Sequence, residues 1–315
     1  MDEEVLKAYL KAGDIAYKAK KFASEVVKPG VPILDAAEKI EGFIREEGGE
    51  PAFPLNLSIN YVAAHRTPLA DDPEIIPDDS VVKVDLGVHV DGYIADTAIT
   101  LIFNDKYVRL GEVVKKALLK GLATVRPGIR FKDVGRVIEK VIRRAGYRVI
   151  KNLSGHSLGQ YVIHAGESIP NFKDPMTLGK FRTGRAYAME PFGTDGKGWV
   201  REVKGSVQIY SLRSLEASRG LSEDEAKVIN YLVSTRKTLP FCERWLTHLF
   251  SELSALRETL QSLVNKKRLY AYPVLVEVNK GYVVQFEETF IVTEDGIIVT
   301  TNPEVNSELE SLKKG

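Results

Sequence analysis

The sequence predicts an α/β chain built from two related halves, with a small, mainly helical insertion in the second half. Three observations predict this. Amphipathic helical stretches alternate with short β-branched runs. A turn-and-helix motif recurs after 98 residues. The segment 211–270 then breaks the rhythm with a run of helices.

The first element is a helix over residues 3–27. Leu6, Leu10, Ala16, Ala19, Phe22, Ala23 and Val26 recur at spacings of three and four, and Pro29-Gly30 ends the stripe. A second helix is expected after Asp35 and stops at Gly48-Gly49, followed by strand-like residues at 59–64. Two β-branched stretches, 81–90 and 93–103, flank Asp91-Gly92, a dipeptide that tolerates the positive φ angles of a two-residue hairpin turn. Further helices are expected over 107–125 and 132–146.

The repeat joins these elements. Lys28-Pro29-Gly30-Val31, Asp35, Ile44-Arg45 and Gly48 return as Arg126-Pro127-Gly128-Ile129, Asp133, Ile142-Arg143 and Gly146. Tyr61-Val62 precedes His65 as Tyr161-Val162 precedes His164, and the strand with Asp85 is echoed by the strand with Glu190. Two copies at a long period indicate paired half-domains, not a solenoid. Within the insertion, Ser222-Glu223-Asp224-Glu225 gives an N-cap and an acidic first turn. Helical pattern continues over 241–264, and a strand pair is expected about a turn at Asn279-Lys280-Gly281. The mixed charges of this region suit a solvated surface as well as a binding role.

Composition removes several classes of function. At 315 residues the chain is long enough to bury a real core, and its net charge of +1 argues against nucleic acid held by bulk electrostatics. Cys242 is the only cysteine, so no intrachain disulfide is possible, which fits a reducing compartment. Met1-Asp2-Glu3-Glu4 lacks the basic and apolar regions of a signal peptide, and no uncharged apolar run reaches the roughly 18 residues of a membrane span. A cytoplasmic protein with no membrane partner is expected.

The chemistry centres on the hairpin. Across a two-residue turn, directly opposite positions sum to an odd number and share a face, and Asp85 and Asp96 satisfy that parity. Two carboxylates on one face of an apolar strand pair repel each other and are poorly solvated, and a cation would relieve both costs. The alternative is an Asp at a wet sheet edge. His156 lies among glycines in Ser154-Gly155-His156-Ser157-Leu158-Gly159, and Glu190 and Glu287 are acids in otherwise apolar strand patterns. Each alone reads as an ordinary residue. Together they supply four carboxylates and one imidazole, a set suited to two divalent ions that activate water and polarise a carbonyl.

Four segments carry a resemblance: Asn60-Tyr61-Val62-Ala63-Ala64-His65, Val90-Asp91-Gly92-Tyr93-Ile94-Ala95-Asp96, the run from Gly155 to Gly166, and Gln285-Phe286-Glu287. They resemble the methionine aminopeptidases of the pita-bread peptidase superfamily, in the archaeal form of the type 2 branch. The resemblance implies a duplicated pita-bread fold with a curved antiparallel sheet covered by helices. It places the catalytic domain at residues 1–205 and 271–315, with a winged-helix-like insert at 206–270.

It also implies two metal ions, of Co, Mn, Fe or Zn, held by Asp85, Asp96, His156, Glu190 and Glu287. Asp85 would hold one ion, Asp96 and Glu287 would bridge, and His156 and Glu190 would hold the other. A bridging water or hydroxide would attack the carbonyl after the N-terminal Met, with Glu190 as proton shuttle. His65 and His164 would contact the substrate, and Phe53, Ile163 and Phe192 would form the apolar pocket for the Met side chain. The implied activity is removal of N-terminal methionine from nascent polypeptides with a small second residue, by a monomer that meets the ribosome. Glu288 departs from the family, which usually has His there. The rivals are an Xaa-Pro peptidase of the same fold, which would share all five ligands, and a non-catalytic relative that binds nucleic acid or ribosomes and would have lost some of them.

Overall fold

The computed structural model describes residues 1–215 and 220–314. Residues 216–219 of the expected insert, and residue 315, lie outside the described residues. Chain order starts with α1 (Glu3–Val26), α2 (Ile33–Glu46), β1 (Glu50–Ile59), β2 (Val62–Ala64) and the hairpin β3 (Val81–Val90) and β4 (Tyr93–Ile102). The second half follows with α3 (Val108–Thr124), α4 (Phe131–Arg144), β5 (Arg148–Val149), β6 (Ser154–Leu158), β7 (Ser168–Pro170), β8 (Ala186–Met189) and β9 (Phe192–Thr194). After these come β10 (Val200–Leu212), α5 (Glu223–Thr235), α6 (Leu253–Asn265) and β11 (Leu269–Glu277). β12 (Val283–Gln285), β13 (Glu288–Val292), β14 (Ile297–Val299) and α7 (Pro303–Lys314) complete the order.

Local chemistry sets the helix ends. Asp2 caps α1 by accepting the Val5 N–H at 2.9 Å, and Glu3 and Glu4 place negative charge at the helix N-terminus. α2 starts at Ile33, two residues ahead of Asp35, so Asp35 sits within the first turn. α5 carries a full capping box between Ser222 and Glu225.

The repeat is a repeat of structure. α2 and α4 start 98 positions apart, as do the ends of α1 and α3. Gly30 (φ 81°) gives its N–H to the Ile76 carbonyl at 2.8 Å, and Gly128 (φ 82°) gives its N–H to Phe181 at 2.9 Å. Both turns need a left-handed residue, which glycine supplies without a Cβ clash. The next residues repeat too: Pro32 bridges to Ile75 and Arg130 to Lys180.

Among the described residues all strand pairings are antiparallel, in four sheets ordered β1-β3-β4, β10-β11-β2, β12-β9-β5 and β14-β13-β8-β6-β7. Among the described residues, one backbone bridge joins the first of these sheets to the last. Ala98 of β4 and Glu287 exchange backbone hydrogen bonds of 3.3 and 3.0 Å, which brings the hairpin against the start of β13. The β3–β4 hairpin has two distinct faces. Val82, Val84, Leu86 and Val88, with Ala95, Ile99 and Leu101, pack on α1 and α2. Asp85, Gly87, Asp96 and Ala98 take the other face by alternation. The second half repeats the arrangement, with α3 and α4 burying Val114, Leu118, Val134 and Ile138 against Tyr187, Met189 and Phe290.

Two expectations need correction. Strand structure begins at Glu50, well before residue 59, and the ladder with β3 shifts register at Pro51/Phe53 and again at Phe53/Asn56. Pro51 and Pro54 lack N–H donors, so a ladder containing them needs irregular pairing. The strands on either side of Asn279-Lys280-Gly281 do not form a hairpin. β11 pairs with β10 and β2, while β12 pairs with β9. The buried Glu277 carboxylate accepts the N–H groups of Lys197, Gly198, Asn279 and Gly281 at 2.6–3.2 Å. That ties the chain after β11 to the β9–β10 connection.

Between β10 and β11, the helical pattern expected over 241–264 divides into a 3-10 turn (Glu243–Leu249) and α6. Val228, Leu232, Phe241, Leu246, Leu256 and Leu260 form a separate apolar cluster here. No helix among the described residues is long and apolar enough to cross a membrane.

Candidate active site

All ten residues singled out in the sequence line one cavity of about 560 Å³. Asp85 and Asp96 reach it from the hairpin face opposite α1 and α2. His156 comes from β6, Glu190 from the residue after β8, and Glu287 from the residue before β13. Asp96, His156 and Glu287 present ligand atoms that all lie within 4.8 Å of one another. His156 Nε2 is 3.5 Å from Asp96 Oδ2 and 3.6 Å from Glu190 Oε1.

Asp85 is tied into the group by a residue whose role the sequence did not reveal. The Gln285 amide lies 3.4 Å from Asp85 Oδ2, 3.3 Å from Glu190 Oε2 and 3.5 Å from Glu287 Oε2. The available signal was its spacing from Glu287, since positions i and i+2 share a strand face. A single amide has two N–H groups and cannot satisfy three carboxylates. Asp85 Oδ1, Asp96 Oδ1 and Glu287 Oε1 are buried with no hydrogen-bond partner.

Unpartnered buried carboxylates disfavour ionisation. Burial raises Asp85 to about 7, and the Gln285 amide only partly offsets this. Burial, then the Asp85 charge, holds Asp96 well above the usual carboxylate range. Glu190 is raised in the same way by burial and by Asp85 and Asp96, and Glu287 by burial and by Asp96 and Glu190. Burial, with His164 nearby, pushes His156 down to about 3, so its imidazole is neutral at pH 7. A cluster of oxygen acceptors without donors, beside a neutral imidazole, fits hard or borderline divalent cations.

His65 adopts a left-handed backbone (φ 63°) beyond β2, and its Nδ1 is 3.2 Å from the Pro273 carbonyl. The carbonyl can only accept, so Nδ1 carries the proton and Nε2 is left as an acceptor. Burial lowers His65 to about 4, which keeps the ring neutral. His164 stands edge-on to His156, with ring centroids 4.5 Å apart. It is open to solvent on the cavity side, while the protein around the rest of its ring lowers its basicity.

Phe53, Ile163 and Phe192 are buried in the cavity wall. Phe53 lies over Gly87, where a Cβ would come within 2.3 Å of its ring, so a bare backbone at 87 makes room for it. The wall also includes Ile209, Pro240, Tyr270 and Tyr272, none of which the sequence singled out. They come from β10, β11 and the segment between them, and no local motif marks them. His89 and His248 do not line the cavity. His89 accepts the Gly92 N–H, and His248 packs edge-on to Tyr231.

Comparison with known proteins bears on the chain as a whole. A methionine aminopeptidase of Saccharolobus solfataricus is 44% identical over 301 residues, covering 96% of this chain and 99% of that protein. Among solved structures, a thermophilic Arx1 matches with a TM-score of 0.82 at 16% identity, over 98% of each chain. A methionine aminopeptidase of Thermotoga maritima matches with a TM-score of 0.69 at 22% identity, over 96% of this chain and 98% of that one. These two likenesses are of fold alone. Residues 7–294 match metallopeptidase family M24. With a buried carboxylate–imidazole cluster suited to divalent metal, and 44% identity over nearly the whole chain, the chain belongs to metallopeptidase family M24, among its methionine aminopeptidases.

Proposed function

We propose that the chain removes N-terminal methionine from nascent polypeptides whose second residue is small, at a site for two divalent cations. The carrying observation is the set of buried, donor-less oxygens on Asp85, Asp96 and Glu287, in a cavity also lined by Phe53, Ile163 and Phe192. Asp85, Asp96, His156, Glu190 and Glu287 would hold the cations, which are Mn, Fe, Co or Zn. When bound, they supply the Lewis acidity that activates water and polarises the scissile carbonyl.

The remaining steps belong to the chain. The apolar wall takes the Met side chain, excludes water and offers no partner to a charged one. His164 donates to the scissile carbonyl oxygen, where negative charge develops. His65 accepts from the peptide beside that bond, since its Nδ1 proton is committed to Pro273. Glu190 passes a proton from the attacking water to the leaving amine, a role that suits a carboxyl whose proton affinity burial has raised.

Residues 206–270 act as a winged-helix-like insert on a catalytic body of residues 1–205 and 271–315. The separate apolar cluster between β10 and β11 supports that division. We infer that the chain acts in the cytoplasm beside the ribosome, because its proposed substrates are N-termini of nascent polypeptides. The test is hydrolysis of Met-Ala-Ser against a Gly-Pro peptide, with and without a chelator. Met-Ala-Ser should be preferred, activity should vanish with the chelator, and Mn, Co or Fe should restore it. Preference for Gly-Pro would hand the reaction to an Xaa-Pro peptidase.

A further inference from the structure

Behind the site, on the α1 side of the hairpin, lies a buried ion pair that takes no part in the proposed reaction. Lys20 of α1 places Nζ 2.8 Å from both carboxylate oxygens of Glu288, and both side chains are 7% exposed. Glu288 follows Glu287 and points to the opposite side of the strand. Its oxygens also accept from Thr301 Oγ1 at 2.6 Å and Asn302 Nδ2 at 2.9 Å.

The same ammonium reaches the neighbour of Asp96. Lys20 Nζ donates to Thr97 Oγ1 at 2.9 Å, and Thr97 Oγ1 donates to the Glu287 carbonyl at 2.7 Å. One cation thus links the residue after Asp96, the residue after Glu287 and the backbone of Glu287 itself. From the site side, Thr289 Oγ1 clamps the Asp96 backbone with contacts of 2.8 Å to its N–H and its carbonyl. Asp96 lies in the β1-β3-β4 sheet and Glu287 just before a strand of another, and among the described residues the Ala98–Glu287 bridge joins them. In the ionised form that binds a cation, the two carboxylates would repel each other.

We propose that Lys20 and Glu288 are positioning residues, which hold the Asp96 and Glu287 backbones at ligand spacing before any cation arrives and so set the affinity of the site. A buried ion pair is weak as a source of stability because both charges lose their hydration. This one lies one residue beyond each of two candidate ligands, where it fixes geometry. Being an acid–base pair, it also adds no net charge behind the carboxylates. Outer groups that orient metal ligands typically change affinity by about 10–100-fold when removed.

The inference rests on the metal-site reading, and the experiment separates the two. Mn is titrated calorimetrically into the metal-free full chain, wild type and Glu288→Gln. Wild type should bind Mn, and Glu288→Gln should bind it about 10–100-fold more weakly. At saturating Mn the variant should regain most of its kcat on Met-Ala-Ser with KM unchanged. Lys20→Arg should keep affinity within a few-fold of wild type. If Glu288→Gln fails to fold, Asn302→Leu removes one donor to Glu288 and should show the same weakening to a smaller degree. A variant that melts lower yet binds Mn as wild type does would make the pair merely structural and overturn the inference. A wild-type chain that binds no Mn would instead remove the metal-site reading, and this inference with it.

Discussion

Asp85 and Asp96 stand one diagonal step apart on a single face of the β3–β4 hairpin, Asp85 opposite Ala98 and Asp96 opposite Gly87. Neither finds enough donors there, and one oxygen of each is buried without a partner. The pair is therefore a cost to the metal-free fold that a cation can relieve.

That cost has a definite pH dependence. Asp85 is raised in the folded chain from 3.8 to about 7, so folding is unperturbed by this group below about 4 and loses stability as pH rises toward 7. Asp85→Asn removes the loss. Without metal, the variant should melt above wild type at pH 7, and the gap should close toward pH 4. His65 and His156, lowered to about 4 and about 3, act in the opposite sense below their ordinary value of 6.5, but do so in both proteins. With saturating Mn the order should reverse, because wild type gains binding free energy that the variant loses. Thermal melts at pH 4, 5.5 and 7 measure it. A gap independent of pH would remove Asp85 as its source.

The sequence made this much legible because it was local. The parity of a two-residue turn puts Asp85 and Asp96 on one face whatever the rest of the chain does. The 98-residue repeat exposes the paired turns at Gly30 and Gly128. What stayed hidden depends on distant contacts. Gln285 matters because three carboxylates from separate strands converge on its amide. Tyr272 reaches the cavity because β11 pairs with β2 and β10 instead of β12. β1 escaped because Pro51 and Pro54 interrupt its strand pattern, and only the register shifts show how the ladder absorbs them.

The two histidines in edge contact should separate by metal content. His156 is within 3.6 Å of two candidate ligand carboxylates, so His156→Ala should lower bound metal and activity together. His164→Ala should keep the metal and lose turnover by about 100–1000-fold, the usual effect of removing one donor to a developing oxyanion. Metal analysis by plasma mass spectrometry alongside kcat measures both. Equal metal loss in the two variants would contradict the division of roles.

The segment between β10 and β11 is anchored to the first half through a buried charge pair. Arg244 makes bonds of 2.9 and 2.8 Å to the two Glu41 oxygens, and both side chains are 3% exposed. Arg244→Met strands the Glu41 carboxylate, which the Leu55 N–H and Trp245 Nε1 serve only in part. The loss should be about 3–5 kcal/mol of unfolding free energy, and Glu41→Gln/Arg244→Met should recover part of it. Denaturant unfolding measures both. A double variant as unstable as the single one would mean that packing, and not the stranded charge, is the cause.

Specificity should follow from the apolar lining and from the aromatic stack at His65. Phe53, Ile163 and Phe192 offer apolar surface and no hydrogen-bond partner, so a Met side chain loses little on entry. A Lys or Asp first residue would shed its hydration without compensation and should be cut very poorly. Crowding of acids at the metal end favours a free amine, so acetyl-Met-Ala should resist cleavage. In the cavity wall, His65 packs edge-on to Tyr272 at 5.6 Å, and Tyr272 in turn packs on Tyr270 at 4.6 Å. A bulky second residue must displace that stack, so Met-Leu should fall well below Met-Ala and Met-Gly. Tyr272→Ala should narrow the difference by opening the wall beside His65. The measurement is kcat/KM over Met-Ala, Met-Gly, Met-Leu, Leu-Ala, Lys-Ala and acetyl-Met-Ala, each with one common tail. Cleavage of the acetylated peptide at the rate of the free one would contradict an aminopeptidase. A Met-Leu penalty untouched by Tyr272→Ala would move the second-residue limit away from the His65 stack.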